Sequence, residues 1–244
     1  MTKLSVNINK VATIRNARGK NNPDVVTAAL KIIQFGGQGI TVHPRPDERH
    51  IRWDDVFALK ESIGDVELNI EGYPSNEFLV KVTDALPAQC TLVPDPPEVL
   101  TSNAGWRLQG NEKILETALP LLREKNIRLS LFVDPATITT QELLRFRDMG
   151  VDRIELYTEA YAEAYGTSQQ AAVLARYKSC AQLAHSMGLG LNAGHDLNLE
   201  NLNLFVREIP QIQEVSIGHA LVCDALDYGW QKTIELYLQC LQIS

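Results

Sequence analysis

Short apolar runs, each followed by a longer stretch with helical periodicity, recur eight times along this chain, and that alternation constrains the fold more than any other feature. The strand-like runs cover residues 4–8, 39–42, 66–70, 91–93, 129–133, 153–156, 190–192 and 215–217. Strands that alternate with helices pair in parallel, because each helix carries the chain back to start the next strand in the same direction. Eight such units in 244 residues suit a closed barrel better than an open doubly wound sheet. The first strand also lacks the Gly-x-Gly-x-x-Gly that would follow it in an open dinucleotide-binding sheet, and Asn16-Ala17-Arg18-Gly19 is no substitute. The expected fold is therefore α/β, a TIM (β/α)8 barrel. Residues 1–244 form a single domain in this reading, since no Ser/Gly-rich linker, charge block or low-complexity tract divides them.

The helical stretches carry their own start and stop signals. Asn22-Pro23-Asp24 reads as a cap, a first-position proline and an acid, with Val25, Val26, Ala29, Leu30 and Ile33 on one face and Gly36-Gly37 as the stop. Thr139 with Glu142 makes a capping box ahead of Leu143, Leu144 and Phe146, and Gly150 closes that helix. A long helix spans 169–186, and Asn198 caps a short one before Leu202 and Phe205. Pro120 lies within 114–122, so the helix there is either kinked or broken.

With 45% hydrophobic and 22% charged residues the chain can bury a large core, which excludes disorder as its main state. The 23 basic and 30 acidic residues leave a net charge of −7, which argues against nucleic acid as a partner and requires a local site for any anionic ligand. No apolar run approaches the roughly 20 residues of a membrane span. The N-terminus turns polar too soon for a signal peptide, so the expectation is a cytoplasmic protein with no membrane partner. Cys90, Cys180, Cys223 and Cys240 form no Cys-x-x-Cys and fall within strand or helix interiors, so they read as small buried hydrophobes.

A barrel of this type builds its active site at the carboxyl ends of its strands. Asn7, Asn9 and Lys10 stand at the end of the first run, His43, Arg45, Arg49 and His50 follow the second, Glu71 the third, and Thr101 lies in the loop after the fourth. Asp134 ends the fifth run, Glu155 the sixth, Asn192 with Gly194-His195 the seventh and Gly218-His219 the eighth. Of five histidines only His185 falls inside a helix, where it reads as structural, and Asp134 before Pro135 reads as a turn former. His43 and Glu71 belong to adjacent strands, whose ends lie about 5 Å apart. An imidazole beside a carboxylate is a general acid/base pair.

Two features point to phosphate. Asn192-Ala193-Gly194-His195 and Ser216-Ile217-Gly218-His219 are parallel Gly-His turns after the last two strands, the usual phosphate position of a barrel. Arg45, Arg49 and His50 share one loop, and Arg15 and Arg18 lie in the loop after the first strand, so side chains can bind a second anion; the alternative for these arginines is solvation or pairing with Asp47 and Glu48. Two anion sites in one mouth imply two phosphorylated substrates, or one long one.

Several segments together resemble the pyridoxine 5'-phosphate synthase family, barrel enzymes that close the ring in vitamin B6 biosynthesis. The most specific are Ala12-Thr13-Ile14-Arg15-Asn16-Ala17-Arg18-Gly19 and the loop from His43-Pro44-Arg45 to Arg49-His50-Ile51; Leu68-Asn69-Ile70-Glu71, Asn192-Ala193-Gly194-His195 and Ile217-Gly218-His219-Ala220 extend the likeness over essentially the whole chain. The resemblance implies condensation of 1-deoxy-D-xylulose 5-phosphate with 3-amino-2-oxopropyl phosphate to pyridoxine 5'-phosphate, phosphate and water, with no cofactor and no metal. It implies His43 and Glu71 as proton acceptors and His195 as proton donor, with Glu155 in support. Asn9, Lys10, Arg45, His50 and Thr101 would hold the deoxyxylulose phosphate, and Asn7, Arg18, Gly194, Gly218 and His219 the amino ketone and its phosphate. A homo-oligomer, an octamer in this family, is also implied, with the loop carrying Arg18 near a subunit contact.

The chain departs from the family at four positions. Asn9-Lys10 replaces a common Asp-His, Tyr157 stands where His is common, and Asp196 follows His195 where glycine is usual. The added carboxylate of Asp196 is expected to raise the His195 pKa and favour its protonated form. Residues 95–109, with Pro96-Pro97, Asn103 and Gly105, make a long loop expected to act as a mobile lid. Two rival readings use the same residues: a metal-dependent isomerase or hydrolase with His43, Glu71, Glu155 and His195 as ligands, and a non-catalytic barrel that binds a phosphorylated metabolite.

Overall fold

The computed structural model describes residues 1–94 and 105–242. Thr101 and most of the expected lid lie outside the described residues. Eight parallel strands, β1 (Lys3–Asn7), β2 (Gly39–Val42), β3 (Glu67–Gly72), β4 (Gln89–Leu92), β5 (Arg128–Val133), β6 (Arg153–Tyr157), β7 (Gly190–Gly194) and β8 (Ile212–Ile217), close in sequence order into a TIM barrel, with β8 paired to β1. All eight expected strands are present. Several extend beyond the apolar runs because their inward positions are polar, as at Gln89, Arg128 and Glu214, and polar residues hide a strand from hydrophobic patterning.

That polar interior is the main departure from expectation, since barrel interiors are commonly filled by Val, Ile and Leu. Here the Ser5 and Thr41 hydroxyls bond at 2.8 Å, and Thr91 donates to the Asn69 side chain at 3.1 Å. Below them Glu67 receives Arg128 at 2.7 Å and Lys3 at 3.1 Å, and Arg128 also donates to Gln89 at 2.8 Å. Internal pairing satisfies most of these groups, which removes most of the cost of burying them. The apolar core lies instead between the outward faces of the strands, such as Leu4, Ile40, Leu68 and Ile154, and the surrounding helices.

The helices are α1 (Asn9–Asn16), α2 (Val25–Gln34), α3 (Trp53–Ser62), α4 (Asn76–Ala85), α5 (Glu112–Glu124), α6 (Thr140–Asp148), α7 (Glu159–Ala164), α8 (Gln170–Ser186), α9 (Leu202–Glu208), α10 (His219–Tyr228) and α11 (Trp230–Cys240). The Thr139–Glu142 capping box forms as expected. The start of α2 differs: Asp24 is the cap, accepting the Thr27 amide at 2.6 Å, and Pro23 lies outside the helix. Its buried face is Val25, Ala28, Ala29 and Ile32, while Leu30 turns outward, because two alanines allow the helix to approach the barrel closely.

Pro120 does not break α5. It sits on the exposed side of a continuous helix whose opposite face buries Leu115, Ala118, Leu119 and Leu122, and that packing offsets the lost hydrogen bond. The residue before α9 is Asn201 rather than Asn198, whose side chain accepts the Glu200 and Asn201 amides one turn earlier. Cys90 and Cys180 are buried, as expected, but Cys223 is exposed on α10 with its sulfur 3.7 Å from the His219 ring, and Cys240 is only half-buried. The segment after β1 is a helix, not a loop. On it Arg15 is buried and structural: it pairs with Asp55 of α3 at 2.9 Å and donates to the His50 carbonyl at 3.1 Å, which ties α1 to the β2–α3 loop.

Candidate active site

The carboxyl ends of the strands enclose a cavity of about 410 Å³. Asn7, Asn9 and Lys10 reach it from the β1–α1 junction, His43, Arg45 and His50 from the segment after β2, and Glu71 from the end of β3. Glu155 enters from β6, His195 follows β7, and Gly218 and His219 follow β8. Sequence reasoning thus placed most of its candidates around one space. Among the described candidates Arg18 and Gly194 are the exceptions: Arg18 is exposed, Gly194 is buried behind the turn, and neither lines the cavity. Arg49 forms an ion pair with Asp47 at 2.7 Å, the alternative reading of that arginine.

One edge of the cavity concentrates positive charge. Arg45 is buried there, with Lys10 and His50 beside it. Burial pushes His50 down to about 4, and Arg45, Lys10 and Arg49 add to the shift. His43 is pushed down to about 3 by burial and then by Arg45, His50 and Arg49, so its imidazole is neutral near pH 7. An anion bound at this edge would oppose those cations and restore basicity to both rings. Asn9 has a structural part in the same edge: its side-chain oxygen accepts the His43 backbone amide at 2.9 Å. An asparagine can do this as well as the aspartate common in the family.

A second edge is the start of α10, a ten-residue helix with Gly218 as its cap and no acid in its first turn. Unpaired amides at such a terminus attract anions. Both glycines of the Gly-His turns also have packing reasons. A Cβ on Gly194 would sit 2.4 Å from the Ser216 carbonyl, and one on Gly218 would sit 3.0 Å from the Asn7 side chain.

Between these edges stand the acid/base groups, but His43 and Glu71 are not the hydrogen-bonded pair their adjacent strands suggested. The His43 ring lies 6.4 Å from that of His50, edge to face, while Glu71 accepts the Asn7 amide at 3.3 Å. The lateral spacing of strands brings backbones together; side-chain direction decides which groups meet. Burial pushes Glu71 up to about 8, repulsion from Glu214 adds to it, and Arg45 opposes it. Glu155 is 3% exposed, one of its carboxylate oxygens has no hydrogen-bond partner, and burial together with Glu71 and Glu214 holds it well above the ordinary carboxylate range. That shift favours the neutral carboxyl beside Glu71.

His195 is shifted the other way. Burial lowers its pKa, but the Asp196 hydrogen bond, and the charges of Asp196, Glu155 and Glu159, outweigh burial and raise it. Its Nδ1 lies 2.6 Å from an Asp196 carboxylate oxygen, and the Tyr157 ring packs edge-on at 5.4 Å between centroids. The loop is fixed from below, because the buried Thr158 hydroxyl donates to the Gly194 carbonyl and accepts the Asp196 amide. Asp196→Asn removes the nearest of the three charges, so His195 is expected to titrate at lower pH. NMR titration of the His195 ring measures this directly, and an unchanged midpoint would mean that Asp196 does not hold the proton there.

Sequence reading missed Val93, Phe132 and Ser216 as lining residues. Alternation along a strand gives only its two faces, and the register between strands is what shows that these residues face inward. Among the described residues no three His, Cys, Asp or Glu side chains gather as a metal-ligand set.

Comparison with known proteins gives the family. Residues 4–243 match the family described as pyridoxal phosphate biosynthesis protein PdxJ. A pyridoxine 5'-phosphate synthase of Cytophaga hutchinsonii is 51% identical over 99% of this chain and 100% of its own length. One of Parabacteroides distasonis is 53% identical over 99% of each chain. Among solved structures, tryptophan synthase from M. tuberculosis shares the fold, with a TM-score of 0.67 and 13% identity over 100% of this chain and 93% of that one. The chain belongs to the PdxJ family of pyridoxal phosphate biosynthesis proteins.

Proposed function

We infer that the chain catalyses the reaction its curated relatives are named for, formation of pyridoxine 5'-phosphate, by condensing 1-deoxy-D-xylulose 5-phosphate with 3-amino-2-oxopropyl phosphate. The observation that carries this reading is one cavity with two anion-attracting edges and acid/base groups between them. Lys10, Arg45 and His50 bind the phosphate of the deoxyketose; Asn9 holds the strand end beneath, and Thr101 is assigned to the same substrate by family likeness alone. Asn7, Gly218 and His219 take the amino ketone phosphate at the start of α10, with Gly194 shaping the turn behind them. Arg18 joins that site only if its loop moves or a neighbouring copy supplies it.

The amine of one substrate adds to the ketone of the other, water leaves, phosphate is eliminated, and an aldol-type closure with further loss of water gives the aromatic ring. Glu71 and His43 accept protons at carbon or oxygen. His195, whose affinity for its proton Asp196 raises, donates to departing oxygen. Glu155 stays protonated and keeps a second charge away from Glu71. A phosphate at Arg45 and His50 offsets the cations that depress His43, so the base becomes competent when substrate is bound.

The same reading makes the enzyme a cytoplasmic oligomer. Charged sugar phosphates do not cross membranes unaided, and among the described residues no helix is long and apolar enough to span one. Ile14, Leu30, Leu226 and Tyr228 expose apolar surface on α1, α2 and α10, which neighbour one another directly or through α11 and supply an association face. The test mixes metal-stripped protein with both substrates and follows pyridoxine 5'-phosphate by absorbance together with released phosphate. Product is expected only when both are present. Turnover only on adding metal would favour a metal-dependent enzyme, and binding without turnover a sensor or scaffold.

A further inference from the structure

The cavity is polar around most of its wall, but not opposite the cationic edge. At the tops of β4, β5 and β6 the chain presents Val93, Phe132 and Tyr157, whereas the corresponding positions on β1, β2 and β3 carry Asn7, His43 and Glu71. These three apolar side chains are 4%, 3% and 7% exposed and form a cluster separate from the core between barrel and helices. The Phe132 and Tyr157 rings lie 5.2 Å apart, and Val93 and Phe132 face the cavity. The Tyr157 hydroxyl is turned to Glu159, to which it donates at 2.6 Å. One layer down, the same strands carry Thr91, Ser130 and Glu155, so a polar residue is readily accommodated inside this barrel. The apolar patch answers a need of the ligand rather than of the fold.

We propose that this wall receives the C1 methyl end of the deoxyketose and makes the enzyme selective for a 1-deoxy sugar phosphate over its 1-hydroxy counterpart. The assignment rests on the condensation given above. In both substrates every carbon bears oxygen or nitrogen except that methyl, which becomes the ring methyl of the product. Phosphate held by Arg45 and His50 past β2 leaves the far end of the sugar to extend toward β4 and β5. A hydroxyl placed there would lose its water and meet no donor or acceptor on the side chains of Val93 or Phe132. An apolar pocket rejects an added hydroxyl by about a hundredfold, and not much more.

The experiment compares kcat/KM for 1-deoxy-D-xylulose 5-phosphate and D-xylulose 5-phosphate, each with 3-amino-2-oxopropyl phosphate, and measures the inhibition constant of D-xylulose 5-phosphate against the deoxy sugar. The wild-type protein is expected to prefer the deoxy sugar by about a hundredfold. Val93→Thr, which keeps the side-chain shape and adds a hydroxyl, is expected to cut that preference about tenfold and to tighten inhibition by D-xylulose 5-phosphate. Equal use of the two sugars by the wild-type protein overturns the proposal whether or not the variant folds. So does an unchanged preference in a Val93→Thr protein with wild-type melting temperature. No product from the deoxy sugar itself overturns the condensation, and the role of the wall with it.

Discussion

Replacing His195 by asparagine is expected to lower kcat by about a hundredfold to ten-thousandfold, the range lost when a positioned general acid is removed. Asparagine is the informative choice because His195 has φ of 76°, a left-handed conformation that asparagine tolerates and alanine does not. The variant keeps the loop, since the anchors to Thr158 involve the backbones of Gly194 and Asp196 and not the imidazole. It loses the imidazole beside Glu155 and Asp196, so any remaining turnover has no proton donor at that position. Steady-state assay of product, with thermal melting to confirm the fold, checks the prediction. Activity within threefold of wild type would remove His195 from the proton-donor role.

Glu71→Gln is expected to cost at least about a hundredfold in kcat, since an amide cannot accept the proton. Its oxygen can still accept the Asn7 amide that Glu71 receives at 3.3 Å, so the fold is kept. Stability should change with pH in a specific direction. Glu71 has a folded pKa raised to about 8, so its contribution to stability is fully present below the unfolded carboxylate pKa and is lost as pH rises through about 8. The wild-type melting temperature therefore contains a decline over that window which Glu71→Gln lacks. Melting curves from pH 5 to pH 9 test this; parallel declines in both proteins would mean that Glu71 is ionised in the folded state throughout.

The fold was legible because eight apolar runs and their intervening helices are local patterns. Strand ends such as Glu71 and Gly194 were less so, because the inward residues of this barrel are polar and interrupt the hydrophobic signal. The candidate site could be read because a barrel gathers residues that are far apart in sequence, such as Asn7 and His219, at one end of its strands. Which neighbours touch could not be read. His43 turned toward His50 rather than Glu71, Arg15 and Arg49 were taken by Asp55 and Asp47, and Arg18 stayed outside, because these outcomes depend on side-chain direction and local pairing. The apolar wall of Val93, Phe132 and Tyr157 was invisible for another reason: apolar residues at strand ends look like core until the register shows them facing inward.

The central claim is that proton transfer at neutral pH depends on a buried carboxyl whose affinity for protons has been raised by its surroundings. The pH dependence of kcat/KM measures the free enzyme and so tests this most directly. The expected result is a rate that climbs as pH rises through about 8, where Glu71 loses its proton. An acid limb near the ordinary glutamate value of about 4.3, or a limb at about 8 that survives in Glu71→Gln, would contradict it.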